Sequence, residues 1–179
     1  SASMARWIGL LRGVNVGGHA KLPMAGLRDI CIALWPQSNP RTLIASGNVI
    51  FEAADGATTL AVDLGAAIKE VYGLEVPVLV TAEPVFRALV AGCPFDAEDG
   101  KGVHGVFCFT KPVVDAVRRD ALMVAGEGVV QDGTVIWLHT PQGISNSRLG
   151  EKLGQVIGHV PTTARNLNTL RRLVEMLDA

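Results

Sequence analysis

The chain predicts an α+β fold: two ferredoxin-like β-α-β-β-α-β units in tandem, a duplication, plus a C-terminal helix. Three observations point there. The same order of elements reads twice along the sequence, each reading contains a hairpin signal between two β-rich arms, and the chain closes on an apolar stripe at helical spacing.

In the first reading, residues 6–12 form an apolar strand, and Met24, Leu27, Ile30, Ile32 and Leu34 stand mostly at helical spacing over 24–34. Residues 42–45 and 48–52 are β-rich arms on either side of Ser46-Gly47, which reads as a hairpin. Leu60, Leu64, Ile68 and Val71 mark a helical stripe over 58–72, and 76–81 is another strand. A connecting helix at 83–91 then leads into a turn-rich stretch from Gly92 to Gly102.

The second reading starts with a strand from Val103 to Phe109 and a helix over 112–123 with Pro112 in its first turn. Val129–Gln131 pairs with Thr134–Leu138 across Asp132-Gly133. A helix over 148–157 carries Leu149, Leu153, Val156 and Ile157 on one face, and a short, less regular last strand is expected at 160–164. Leu167, Leu170, Leu173, Val174 and Leu177 give the closing helix, 167–178, its apolar stripe. The expected halves are 4–91, with the connecting helix, and 92–179, with the C-terminal helix, packed as one body.

Composition bounds the class. A 179-residue chain that is 49% hydrophobic can bury a sizeable core. No run of about eighteen apolar residues is present to span a membrane. Ser1-Ala2-Ser3 before Met4 reads as an expression scar, and no signal peptide follows it. Cys31, Cys93 and Cys108 lie among apolar neighbours without paired spacing, which suits small core residues in a reducing compartment and a cytoplasmic location. His19, His104, His139 and His159 show no metal-ligand spacing, so neither metal nor cofactor is expected.

Net charge is only −1, but it is unevenly spread. Residues 1–50 carry Arg6, Arg12, Lys21, Arg28 and Arg41 against Asp29 alone, a balance of +4. Residues 51–139 balance at −7, and the last forty at +2. A local positive field favours an anionic ligand, although a solvated face explains the same asymmetry.

Three polar motifs fall in the two positive regions. The first, Leu10–Gly18, delivers Arg12 from a strand into the glycine-rich turn Gly13-Val14-Asn15-Val16-Gly17-Gly18, with Lys21 close behind. Glycines let backbone N–H groups approach an anion, so the turn is either a nest or a tight connection that needs positive φ. It has the glycine spacing of a P-loop, but His19 and Ala20 stand where a Lys and a Ser or Thr hold phosphates and magnesium. That argues against nucleotide hydrolysis.

The second motif, Ser46-Gly47-Asn48-Val49, is by itself a hairpin turn. The third, Thr163-Ala164-Arg165-Asn166-Leu167-Asn168-Thr169, opens the last helix; Asn166 or Thr163 can cap it, while an arginine beside amides and hydroxyls also composes an oxyanion site. Ser145-Asn146-Ser147 reads as a further cap or further donors. Phe107 and Phe109 alternate on a strand as base-stacking aromatics do, but with 5% aromatics in the chain core packing is the better reading.

Together these three motifs resemble the signature of the bacterial domain of unknown function 1697 family, over nearly the whole chain from Met4. The resemblance implies a duplicated α+β unit and draws attention to Ser46 and Asn48. The candidate ligand-binding residues are Arg12, Asn15, Lys21, Ser46, Asn48, Arg165, Asn166, Asn168 and Thr169. They bind and orient; no paired carboxylates and no Ser-His-Asp set stand beside them, and His19 is the one imidazole near them. The expected function is a binding module for a small anionic ligand, a nucleotide or a nucleic-acid phosphate. The alternatives are an enzyme acting on a phosphorylated or carboxylated small molecule, and a protein-interaction domain in which the signature only supports the fold. The three motifs are expected to converge on one surface.

Overall fold

The computed structural model describes residues 4–179. It divides into two compact units, one reaching Ala88 and one starting at Leu89. Each is a four-stranded antiparallel sheet with interleaved helices, and a helix ends the chain.

The first unit runs β1 (Ala5–Leu11), α1 (Met24–Leu34), β2 (Arg41–Leu43), β3 (Asn48–Ala53), α2 (Ala57–Tyr72) and β4 (Val78–Ala82). Its sheet order is β2-β3-β1-β4, all neighbours antiparallel, with Ile8 opposite Ile50 and Leu10 opposite Asn48. Helix α1 buries Leu27, Ile30 and Cys31, and α2 buries Leu60, Leu64 and Ile68. These stripes join Leu11, Leu22 and Phe51 in one core. Trp35 stacks on Phe51 at 4.9 Å between ring centroids. Val71, expected in the α2 stripe, is 63% exposed. The four-residue step from Leu60 through Leu64 and Ile68 lands on Tyr72, which packs against the core in its place. Gly73 then stops α2 in the left-handed conformation at φ 69, its N–H donating to the Lys69 carbonyl.

Helix α3 (Glu83–Ala91) contains the boundary between the units. The second unit repeats the order with β5 (Val103–Cys108), α4 (Ala116–Leu122), β6 (Gly128–Asp132), β7 (Val135–His139), α5 (Arg148–Glu151), α6 (Leu153–Val156) and β8 (Thr162–Asn166), followed by α7 (Leu167–Asp178). The sheet order β6-β7-β5-β8 matches that of the first unit strand for strand. Val106, Ile136 and Leu138 on the sheet pack with Leu149, Leu153 and Val156 from α5 and α6.

Four expectations need correction here. Helix α4 starts at Ala116 rather than near Pro112, because the Asp115 carboxylate caps it by accepting from Arg118 N at 2.9 Å, while the Pro112 carbonyl accepts from Gln131 Nε2. The hairpin turn is Gly133-Thr134, not Asp132-Gly133, since Asp132 pairs with Val135 and only Gly133 takes a positive φ, 59°. The single helix over 148–157 is two short ones broken at Lys152, with the poor helix formers Gly150 and Gly154 on either side of the break. Finally, β8 is as long as β4, five residues each, and pairs with β5 along its whole length. No helix among the described residues is long and apolar enough to cross a membrane.

Candidate functional site

Strand β1 ends where the first motif begins. The N–H of Leu11 donates to Gly47 O at 2.9 Å, and the N–H of Arg12 donates to Pro77 O at 3.0 Å, so the chain enters the loop from a fixed point. Five positions in the loop hold positive φ: Gly13, Asn15, Gly17, Gly18 and Ala20. The fold is kept by one side chain. Asn15 Nδ2 donates to Leu22 O at 2.8 Å and to Ala45 O at 2.7 Å, and Asn15 Oδ1 accepts from Leu22 N at 2.9 Å. The backbone closes as well, Asn15 N to Ala20 O and His19 N to Val16 O. Asn15 is therefore a clamp, and it ties the glycine-rich loop to the turn between β2 and β3.

That turn is the second motif. Asn48 is fully buried; its Nδ2 donates to Leu43 O at 2.8 Å and to Ser46 Oγ at 3.1 Å. Gly47 has φ +90, and a Cβ there would lie 2.7 Å from Leu11 Cβ. The first two motifs thus meet in the first unit, bringing Arg12, Asn15, Lys21, Ser46 and Asn48 into one neighbourhood. Within it the labour divides. Asn15 and Asn48 are engaged in holding backbone and Ser46 accepts from Asn48, whereas Arg12, His19 and Lys21 are exposed, and among the described residues no hydrogen bond or ion pair holds their side chains.

The third motif lies in the second unit. Thr163 and Arg165 belong to β8 rather than to the helix, and both are buried. Arg165 Nη1 donates to Thr163 Oγ1 at 2.7 Å and to Ala164 O at 2.9 Å, and burial pushes the guanidinium down to about 10. Asn166 caps α7 by accepting from Thr169 N at 2.9 Å, as one of its two readings requires; Thr163 does not. Asn168 packs on the 3-10 turn Gly100–Gly102, where a Cβ on Gly100 would come within 2.4 Å of Asn168 Oδ1. Ser147 likewise caps α5, accepting from Gly150 N and donating to Glu127 Oε2 at 2.5 Å.

A family model described as a protein of unknown function, DUF1697, matches residues 4–137. The chain belongs to that family. The matched stretch includes Leu10–Gly18 and Ser46–Val49 and ends before Thr163, so the third motif lies outside it. No curated protein matches the chain. Among solved structures, it is similar to a conserved bacterial protein from Streptococcus pneumoniae, with a TM-score of 0.75, 24% identity, and coverage of 98% of this chain and 99% of that one. The likeness is one of fold along the whole length.

Two features of this DUF1697 chain escaped the sequence reading. Ile44 sits in the left-handed region at φ 50, a conformation that a β-branched residue rarely adopts, and it is 56% exposed. Only the pairing of β2 with β3, which leaves Ile44 in the turn, reveals it. The other is His104 on β5, whose Nδ1 is buried with no partner among the described residues and whose pKa burial lowers. A histidine held neutral in the fold binds a proton more readily once unfolded. Stability is therefore expected to be full above the unfolded pKa of about 6.5 and to fall as pH drops below it toward the folded value. Thermal melts from pH 7.5 to 5 should show that fall in the wild type and a smaller one in His104→Gln; equal slopes would refute it.

Proposed function

We propose that this protein is a binding module for a small anionic ligand, a nucleotide or a nucleic-acid phosphate, and that the first unit holds the site. The observation that carries this reading is the Asn15 clamp. It fixes a loop in which left-handed residues (Gly13, Asn15, Gly17, Gly18 and Ala20) alternate with others, the kind of backbone from which anion-binding nests are built, and leaves Arg12 and Lys21 exposed at its ends. With the backbone already set, only the side chains of those cations remain to be ordered, so the charge-assisted bonds to a phosphate lose less to ordering than they would from a mobile loop. The positive balance of residues 1–50 supports the same reading.

A second reading applies to the third motif, favoured by the Asn166 cap and by the burial of Arg165. There the polar residues support the fold. A thermal-shift screen of phosphates, nucleotides and short oligonucleotides separates the two roles. At least one anion is expected to raise the melting temperature of the wild type, with protection falling as salt rises. In Arg12→Ala the affinity should drop by about 1–3 kcal/mol, the scale of a hydrogen bond to a charged group. Arg165→Ala should melt lower without ligand yet keep its response to the anion. If no anion protects the wild type, the binding reading fails.

A further inference from the structure

In the first unit a cavity of about 510 Å³ lies between α1 and its connection to β2, within the range of roughly 300–1,000 Å³ that holds small molecules. Arg28, Asp29 and Ile32 line it from the helix; Gln37, Asn39 and two prolines line it from the connection. Both walls are set before any ligand arrives. Ser38, fully buried, donates from Oγ to Cys31 O at 3.2 Å and from its N–H to Trp35 O at 2.9 Å, and its carbonyl accepts from Glu52 N at 2.8 Å, so the connection is tied to α1 and to β3. Arg28 Nη1 donates to Thr42 Oγ1 and ties the helix to β2. A preformed cavity loses little to ordering when it fills.

The polar side chains of the cavity have bonds to spare. Among the described residues no hydrogen bond or ion pair holds the side chains of Asp29, Gln37 or Asn39, and Thr42 is the one partner of the Arg28 guanidinium. Arg28 and Asp29 thus bring opposite charges to one cavity without neutralising each other. That decides the class of ligand. A simple anion reaching Arg28 meets the repulsion of Asp29, and a simple cation reaching Asp29 meets that of Arg28, whereas a molecule with both signs satisfies both. We propose that this cavity binds a zwitterion of the amino-acid class, a free amino acid or a dipeptide, with its carboxylate on Arg28 and its ammonium on Asp29. Both bonds are charge-assisted, which makes them the strong ones. Ile32, 48% exposed, gives with Pro36 and Pro40 an apolar wall that selects an aliphatic side chain. Gln37 and Asn39 each offer a donor and an acceptor, the complement of a peptide group. None of the residues of the anion-binding loop lines this cavity, so the two sites are separate.

Titration calorimetry on the full chain tests this with leucine, leucyl-leucine, isocaproate, which lacks the ammonium, leucinamide, which lacks the carboxylate, and inorganic phosphate. Leucine or the dipeptide is expected to bind about tenfold more tightly than either singly charged analogue, the scale of one charge-assisted bond. The tighter of the two tells a free amino acid from a short peptide. Asp29→Asn changes an exposed residue with no partner to lose, so it should melt at the temperature of the wild type and yet lose most of the preference for the zwitterions over isocaproate. Ile32→Ser should bring leucine down to the affinity of glycine. Phosphate is expected not to displace either zwitterion. Equal affinity for the zwitterions and their analogues overturns the proposal, as does a preference that Asp29→Asn leaves intact. Displacement by phosphate overturns it in favour of a second anion site, and binding of neither zwitterion at millimolar concentration overturns it outright.

Discussion

Gly47→Ala is expected to destabilise the first unit by about 2–4 kcal/mol, a large share of the stability of a small domain. Two costs add. At φ +90 an alanine pays for a left-handed conformation that glycine adopts freely, roughly 1–2 kcal/mol. The new methyl also has no room: Leu11 Cβ lies 2.7 Å and Val14 Cγ2 3.0 Å from its position, and Leu11 and Val14 are both buried in the core. Overpacking of this kind costs a further 1–3 kcal/mol or so, since the neighbour in the way is a Cβ fixed to backbone rather than the end of a flexible chain. Urea unfolding followed through Trp7 and Trp35 should show a lower midpoint at unchanged slope. A midpoint within experimental error of the wild type would mean that the turn shifts freely, and with it the claim that the second motif is a rigid support would fall.

The same position shows why the sequence disclosed as much as it did. Glycine followed by asparagine announces a turn, and the apolar periods of residues 24–34 and 167–178 announce helices whose ends fall where α1 and α7 have them. Those signals are local: one face of one element is enough to produce them. The misplaced boundaries are also local in origin, but they turn on competition between caps. Pro112 suits a helix start, but its carbonyl accepts from Gln131 of β6, nineteen residues away, and Asp115 caps α4 instead.

The candidate site was legible in its residue types and illegible in its roles. Arg12, Asn15, Lys21, Ser46 and Asn48 look alike in a list of polar groups. Whether an amide faces a ligand or a backbone carbonyl depends on which loop comes to lie beside it, and the bond from Asn15 to Ala45 spans thirty residues. Arg165 shows the same limit: its place beside a helix start is plain from the sequence, while its burial on β8 depends on the pairing of that strand with β5. Ile44 was invisible because nothing about an isoleucine signals positive φ; the sequence rule points the other way.

Asn15→Ala is expected to cost about 2–3 kcal/mol and to weaken anion binding as well. The truncation leaves the carbonyls of Leu22 and Ala45 and the N–H of Leu22 without the partners that Asn15 supplies. Leu22 is fully buried, so its groups are the costlier ones to leave unpaired, while Ala45 is exposed and recovers part of its loss from water. Alanine also has to hold φ 55, which glycine does without penalty, so Asn15→Gly should be the milder of the two variants by about 1 kcal/mol. That difference isolates the backbone cost; what Asn15→Gly still loses belongs to the amide. Asn15→Asp completes the series: its carboxylate can still accept from Leu22 N but turns an acceptor toward two carbonyls and brings negative charge beside Arg12 and Lys21. It should therefore lose more anion affinity than Asn15→Gly at similar stability. If Asn15→Gly and Asn15→Ala both fold and bind like the wild type, the loop is set by its own backbone bonds, and the clamp has no part in shaping the site.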